Sequence, residues 1–127
     1  MTVAALDGKT VGVQLATSYA DAAKKIKGIK TIKTYKGDPE AFAALKAKKV
    51  DAWISDKFTV KATLEKNPDA GITAGEQVFV ERVSMILRKN NKGLAEQLNQ
   101  ALAELMKDGT YKALSEKYFK EDVSCRS

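Results

Sequence analysis

Residue types at two places in this sequence could bind the charged ends of a small molecule. At the first, Thr17 and Ser18 stand where a predicted buried strand gives way to a predicted helix. A helix N-terminus offers N–H groups without intrahelical partners and a partial positive charge, and hydroxyls add donors, so this place suits a carboxylate or a phosphate. Plain capping of the helix by Thr17 or Ser18 explains the same pattern, and spacing alone leaves the two interpretations open.

At the second place, Asp56 follows the third predicted strand at its carboxyl end. Its carboxylate could attract a ligand ammonium group through a charge-assisted hydrogen bond, or it could cap the next helix. Asp51 stands at the other end of that strand, about 16 Å away at ~3.3 Å per residue, which is too far for acid/base work by the pair. Tyr19 either contacts the ligand or lies on the helix surface, whereas mid-strand Trp53 is expected to pack in the core.

The composition excludes several kinds of chemistry. The sequence has no histidine, so serine–histidine and cysteine–histidine pairs and histidine-ligated metal sites are absent. Cys125 is the only cysteine, which excludes an intrachain disulfide and a cysteine-rich zinc site. Residues 7–10 (DGKT) end like a phosphate-binding loop, but the motif requires glycine where Val3 stands, and the tetrapeptide precedes a strand instead of opening a helix. We therefore expect no metal and no cofactor.

The charge balance argues against nucleic-acid binding. The net charge is +6, and all but three of the 22 basic residues are lysines; the arginines are Arg82, Arg88 and Arg126. Nucleic-acid binding favours arginine with interleaved aromatic residues, whereas lysines alternating with alanines are typical of a solvated helix surface. No apolar run is long enough to span a membrane, and no signal peptide is expected in this chain.

The elements that must position the candidate residues alternate between strand and helix. Strands are predicted at 9–15, 29–35 and 50–55, and helices at 19–27, 38–48 and 56–66, with Asp38 as an N-cap. A short strand at 72–73 and an extended run at 78–88 follow. This order and the short connections predict an α/β fold: a three-layer sheet of mainly parallel strands with helices on both faces. Ligands in such sheets lie beyond the carboxyl ends of the strands, which marks 16–19 and 55–57.

The pattern becomes all-helical after Lys89. One helical face carries six apolar residues, Leu94, Leu98, Ala101, Leu102, Leu105 and Met106. A second face carries Tyr111, Leu114, Tyr118 and Phe119, and residues 108–110 (DGT) divide the two helices. These stripes predict a C-terminal helical segment instead of another βα unit.

In this order, the segments resemble bacterial extracellular solute-binding proteins that serve ABC transporters for polar amino acids. The resembling stretches cover nearly the whole chain: LDGKTVGVQ (6–14), ATS (16–18), AAL to VDA (43–52), Asp56, VSMILRK (83–89), LNQAL (98–102), DGTY (108–111) and KYF (117–119). The family has two lobes with an amino acid clamped between them. The resemblance implies that residues 1–88 form the second lobe, including a hinge strand, and that residues 89–127 complete the first lobe, of which roughly ninety N-terminal residues are missing.

The resemblance also implies roles for the candidate residues. Thr17 and Ser18 match the hydroxyl residues that bind the α-carboxylate, Asp56 matches the carboxylate that takes the α-ammonium, and Tyr19 lies beside them. Ala16 stands where the family has a glycine, and alanine resists a positive φ. The family's carboxylate-binding arginine and its aromatic wall belong to the lobe outside this sequence, where Cys125 could also find a partner.

The implied function is a non-enzymatic receptor, periplasmic or extracellular, that delivers an amino acid to an ABC transporter membrane permease. Two alternatives stay open. One is an enzyme resembling cyclohexadienyl dehydratases, with Asp56 as its general acid. The other is a self-associating module, because the apolar stripes of residues 89–119 would be exposed alone and could form a homodimer or a domain swap.

Overall fold

The computed structural model describes residues 2–124, which form two compact units divided between Val80 and Glu81. Cys125 lies outside the described residues. The first unit alternates strands and helices, with short 3-10 turns at Val3–Leu6 and Pro68–Ala70. Its regular elements are β1 (Thr10–Gln14), α1 (Ser18–Lys25), β2 (Thr31–Tyr35), α2 (Asp38–Lys46), β3 (Ala52–Ile54) and α3 (Lys57–Lys66).

The three strands form one parallel sheet in the order β2-β1-β3. Val13 of the central strand lies opposite Thr34 of β2 and Ile54 of β3. Each strand is followed by a helix, as parallel neighbours require. The predicted α/β class with a parallel sheet is confirmed.

Side chains of β1 alternate between the two faces of the sheet. A helix packs on each face. Val11 and Val13 are fully buried, and they pack with Ala20 and Ala23 of α1 on one face. Gly12 points to the other face, where a Cβ would lie only 3.2 Å from the Tyr35 ring and 3.4 Å from Val50. On that face, Phe42 of α2 stacks against Trp53, with 5.8 Å between the ring centroids. Trp53 thus packs under α2 as predicted, but it is half-buried and not part of the buried core.

The amino-terminal edge of the sheet is closed by one bond between backbone groups and one from a backbone N–H to a side chain. The N–H of Gly8 donates to the carbonyl of Gly28 (2.7 Å), and Asp51 Oδ2 accepts from the N–H of Thr10 (2.8 Å). Asp51 therefore ties the start of β3 to the start of β1, at the opposite end of the strand from Asp56. Residues 7–10 lead into β1, whereas the phosphate-binding loop motif opens a helix.

Two local predictions are wrong. Gly37, not Asp38, is the N-cap of α2, and Asp38 is the first residue of that helix. Residues 72–73 form no strand, and residues 71–88 as a whole lie outside the regular elements described for residues 2–124. In this irregular stretch Val80, Val83 and Ile86 are 81%, 95% and 96% exposed.

The second unit contains two helices, α4 (Lys92–Lys107) and α5 (Thr110–Phe119). Asn91 caps α4 through a bond from the N–H of Leu94 (3.4 Å), and Gly109 connects the helices at φ +83°. Asp108 Oδ1 accepts from the N–H of Thr110 (2.8 Å), which fixes the start of α5. Among residues 2–124, no helix combines the length and the apolar character needed to cross a membrane.

Candidate functional site

The corner between β1 and α1 is held by Thr17. Its hydroxyl donates to the carbonyl of Gln14 (2.8 Å), and its Oγ1 accepts from the N–H of Ala20 (3.4 Å). Thr17 is thus the N-cap of α1, as one of the two interpretations of the sequence predicted. Its hydroxyl proton is already donated to Gln14. Thr17 therefore holds the corner in place and has no hydroxyl proton left to donate to a ligand.

Ser18 is the first residue of α1, and its side chain is exposed. At this position the backbone N–H groups of the first helical turn point out of the helix and carry its partial positive charge. The Ser18 hydroxyl adds a donor that the Thr17 cap does not use. An anionic group could therefore bind here through backbone N–H groups and one hydroxyl.

Ala16 adopts a left-handed backbone conformation, with φ at +58°. An alanine in this region carries about 1 kcal/mol of strain, which glycine would avoid. The conformation turns the chain between the end of β1 and the cap at Thr17. The corner thus follows the backbone path that glycine would favour, although the sequence provides a side chain there.

The corner between β3 and α3 is built around Asp56. Its Oδ1 accepts from the N–H of Phe58 (2.8 Å) and from the N–H of Thr59 (3.0 Å), so Asp56 is the N-cap of α3. Both capping bonds use the same oxygen. A carboxylate has acceptor capacity on two oxygens, so Asp56 can cap the helix through Oδ1 and still offer Oδ2 to a cation.

The two corners lie at one edge of the sheet. β1 and β3 are parallel neighbours, so their carboxyl ends lie about 4.8 Å apart. The chain leaves β1 toward β2 on one side and returns to β3 on the other, which makes this the point where the strand order reverses. The structure therefore brings Thr17 and Ser18 to the same edge as Asp56. A donor-rich helix N-terminus and a carboxylate thus follow adjacent strand ends.

Tyr19 is half-buried and belongs to the apolar side of α1. Its ring lies 5.9 Å from the Phe79 ring, tilted by 51°, and it packs against the core cluster that includes Val11 and Val13. These contacts give its ring a packing role. A ligand contact by Tyr19 stays a prediction.

One polar residue at this edge was missed by sequence reasoning. Asp38 Oδ1 accepts from the indole Nε1–H of Trp53 (3.1 Å) and from the hydroxyl of Ser55 (2.8 Å). Its place after glycine and before proline indicates a helix start and nothing more. The partners lie 15 and 17 residues away, and no local pattern reveals them.

The other edge of the sheet has a different character. A shallow cavity of about 270 Å³ lies near the C-terminal ends of α2 and α3 and is lined by Lys46, Lys66, Asn67, Pro68, Asp69 and Ala70. It is remote from the corners that hold Ser18 and Asp56. Among residues 2–124, no group of three or more acidic or cysteine side chains is placed to hold a metal ion.

In parallel α/β sheets, small ligands bind in the crevice at the switch point, which is where the N-termini of α1 and α3 lie. The chain matches the model of the bacterial extracellular solute-binding proteins, family 3, over residues 1–121. It belongs to this family, as the sequence resemblance indicated.

Relatives of known name are about one-third identical to this chain over the stretch that aligns with it. The L-cystine-binding protein TcyJ of Escherichia coli (strain K12) is 36% identical over 120 residues, which are 94% of this chain and 45% of that protein. The histidine-binding periplasmic protein of Salmonella typhimurium is 34% identical over 132 residues, covering 96% of this chain and 50% of that protein. The chain therefore spans about half the length of the curated relatives it matches.

Solved structures agree with this placement. An ancestral arginine-binding protein bound to glutamine superimposes with a TM-score of 0.81 at 38% identity, over 94% of this chain and 54% of that chain. An ancestral arginine-binding protein bound to arginine superimposes with a TM-score of 0.81 at 37% identity, over 93% of this chain and 54% of that chain.

Proposed function

We propose that this chain is one ligand-binding lobe, with a C-terminal segment of the other lobe, of a periplasmic or extracellular amino-acid receptor serving an ABC importer. Residues 1–88 form the lobe and residues 89–127 the segment. The observation that carries the proposal is the adjacency of the Ser18 and Asp56 corners at the switch point. An α-amino acid carries a carboxylate beside an ammonium, and this edge offers donors beside a carboxylate.

The hydrogen bonds of the two corners support a role for each residue. Ser18 and the first N–H groups of α1 bind the α-carboxylate, and Thr17 holds that helix start in place. Asp56 Oδ2 takes the α-ammonium while Oδ1 caps α3. Tyr19 supports the corner through the packing of its ring and contacts the ligand. Family membership and the amino-acid ligands named for the relatives support this assignment.

One lobe makes only part of the contacts of a closed two-lobe receptor, so binding to this chain is expected to be weak. We expect a Kd for L-glutamine on the order of millimolar. Titration by ¹H–¹⁵N NMR should then shift amides of residues 16–19 and 55–57 saturably. Micromolar affinity of the monomer would contradict the partial-site argument, and absence of shifts at these residues would contradict the site.

The Asp56 role is tested by Asp56→Asn, which keeps an Oδ1 acceptor for the helix cap but removes the charge. We expect the affinity for L-glutamine to fall at least tenfold and the affinity for N-acetyl-L-glutamine, which lacks the ammonium, to change little. Asp51→Asn is the matched control, because Asp51 also accepts a backbone N–H but lies at the other end of β3. An equal loss with both ligands would overturn the ammonium assignment. Turnover of prephenate or arogenate, measured alongside, would favour the dehydratase-like alternative.

A second candidate function, self-association through residues 89–119, is favoured by exposed apolar side chains on α4 and α5. Leu105 and Met106 are 39% and 41% exposed, and Leu114 is 47% exposed. We propose a homodimer or a segment exchange at this face. Leu105→Glu should convert a dimer to a monomer in sedimentation velocity, whereas Gln97→Glu, the same charge on the polar face, should not. A wild-type monomer with both helices formed would contradict this candidate.

A further inference from the structure

We propose that Asp38 is a positioning residue for the ammonium site, acting through Ser55 on Asp56. The inference rests on the proposed function and deepens it. Asp38 begins α2, three residues after the end of β2 at Tyr35, so it lies at the same carboxyl edge of the sheet as the two corners. Asp38 therefore follows β2, the one strand that does not border the switch point between β1 and β3.

The Asp38 carboxylate links that loop to the last part of β3. Oδ1 accepts from Trp53, which lies in β3, and from Ser55, which directly follows β3. Trp53 is in turn packed against Phe42 of α2. The end of β3 is thus held by one carboxylate oxygen and one aromatic contact, both supplied by α2.

This arrangement fixes the position of the Asp56 backbone. Ser55 immediately precedes Asp56, so the bond from the Ser55 hydroxyl to Asp38 fixes the backbone from which the Asp56 side chain departs. The caps at Phe58 and Thr59 fix the same carboxylate from the helix side. With both constraints, Asp56 is oriented before a ligand arrives, and such preorganisation raises affinity.

The charge of Asp38 is suited to its place. A carboxylate in the first turn of a helix is stabilised by the partial positive charge of the helix N-terminus. Glu40 occupies the same first turn and is exposed, but it is not a partner of Trp53 or Ser55. Glu40 therefore provides a control that alters the charge of the turn without touching the link to β3.

The test compares two ligands, L-glutamine and N-acetyl-L-glutamine, by NMR titration of the full chain. Asp38→Ala should weaken L-glutamine binding about tenfold, as loss of a supporting contact commonly does, and should weaken N-acetyl-L-glutamine binding less than about twofold. Asp38→Asn, which keeps the acceptor oxygen, should restore most of the affinity. Glu40→Ala should leave both affinities unchanged. A role in stability alone would lower both affinities together.

A double variant separates the outcomes further. If Asp38 acts through Asp56, the pair Asp38→Ala and Asp56→Asn should bind L-glutamine no more weakly than Asp56→Asn alone. Additive losses would overturn the inference. Should Asp38→Ala not fold, Ser55→Ala removes the single hydroxyl link and should show the same ligand dependence at smaller size. If Asp56→Asn leaves binding unchanged, the proposed function fails; if only the Asp38 and Ser55 variants leave it unchanged, this inference fails.

Discussion

Val13 and Ile54 lie opposite each other across the parallel pair of β1 and β3. Val13 is fully buried and Ile54 is 7% exposed, and both pack with Ala20 and Ala23 of α1. The chain leaves the sheet one residue after Val13 and directly after Ile54. The register of this pair therefore aligns the two strand ends from which the Ser18 and Asp56 corners start.

Truncation of Ile54 should destabilise the first unit strongly. Ile54→Ala removes buried methyl and methylene groups from the core, and such changes cost about 2–5 kcal/mol. Ile86→Ala is a matched control, because Ile86 is 96% exposed and should change the free energy of unfolding by less than about 0.5 kcal/mol. Urea denaturation followed by circular dichroism measures both. Similar costs for the two variants would contradict the packing described for β3.

The sheet and the two corners could be predicted from the sequence because their signals are local. Apolar β-branched runs marked the strands, and a hydroxyl or a carboxylate directly after a strand marked each helix start. Thr17 and Asp56 cap helices in the structure, at adjacent strand ends. Since parallel strands share one carboxyl edge, naming the strands was enough to bring the two places together.

The role of Asp38 could not be predicted in this way. Its partners, Trp53 and Ser55, are distant in sequence, and a hydrogen bond between them depends on how α2 docks on the sheet. The predicted strand at 72–73 failed for a related reason. Residues in such a stretch have a local preference for extended backbone, but a strand also requires a partner for its ladder.

Thr17 and Ser18 should separate into a structural and a binding role. Thr17→Ala removes the cap bond to Ala20 and the bond to Gln14, so unfolding should become about 1 kcal/mol easier. Ser18→Ala removes an exposed hydroxyl and should change stability by less than about 0.5 kcal/mol, while weakening the binding of N-acetyl-L-glutamine through its carboxylate. Thermal unfolding and NMR titration measure the two effects. A larger stability loss for Ser18→Ala than for Thr17→Ala would reverse this division.

Replacement of Ala16 by glycine should stabilise the chain. Ala16 has a φ of +58°, where glycine carries no penalty, so Ala16→Gly is expected to raise the free energy of unfolding by about 0.5–1 kcal/mol. The same substitution at Ala43, an exposed position inside α2, should lower it by about 0.5–1 kcal/mol. Urea denaturation of both variants measures the change in the free energy of unfolding and its sign. A loss of stability in Ala16→Gly would show that the left-handed corner is not strained.

The start of α5 should depend on pH through Asp108. Hydrogen bonds from the backbone N–H and the side chain of Thr110 favour the charged carboxylate, so the pKa of Asp108 is lowered from its usual value of 3.8. A lowered pKa in the folded state stabilises the folded state above about pH 3.8, and this contribution is lost as the pH falls through the lowered pKa. NMR titration of the Asp108 carboxyl carbon should give a midpoint below 3.8, with the Thr110 amide shift changing at the same pH. Asp108→Asn keeps an acceptor oxygen without a titrating proton, so its Thr110 amide should lose this transition. A midpoint at 3.8 or above would contradict the described bond.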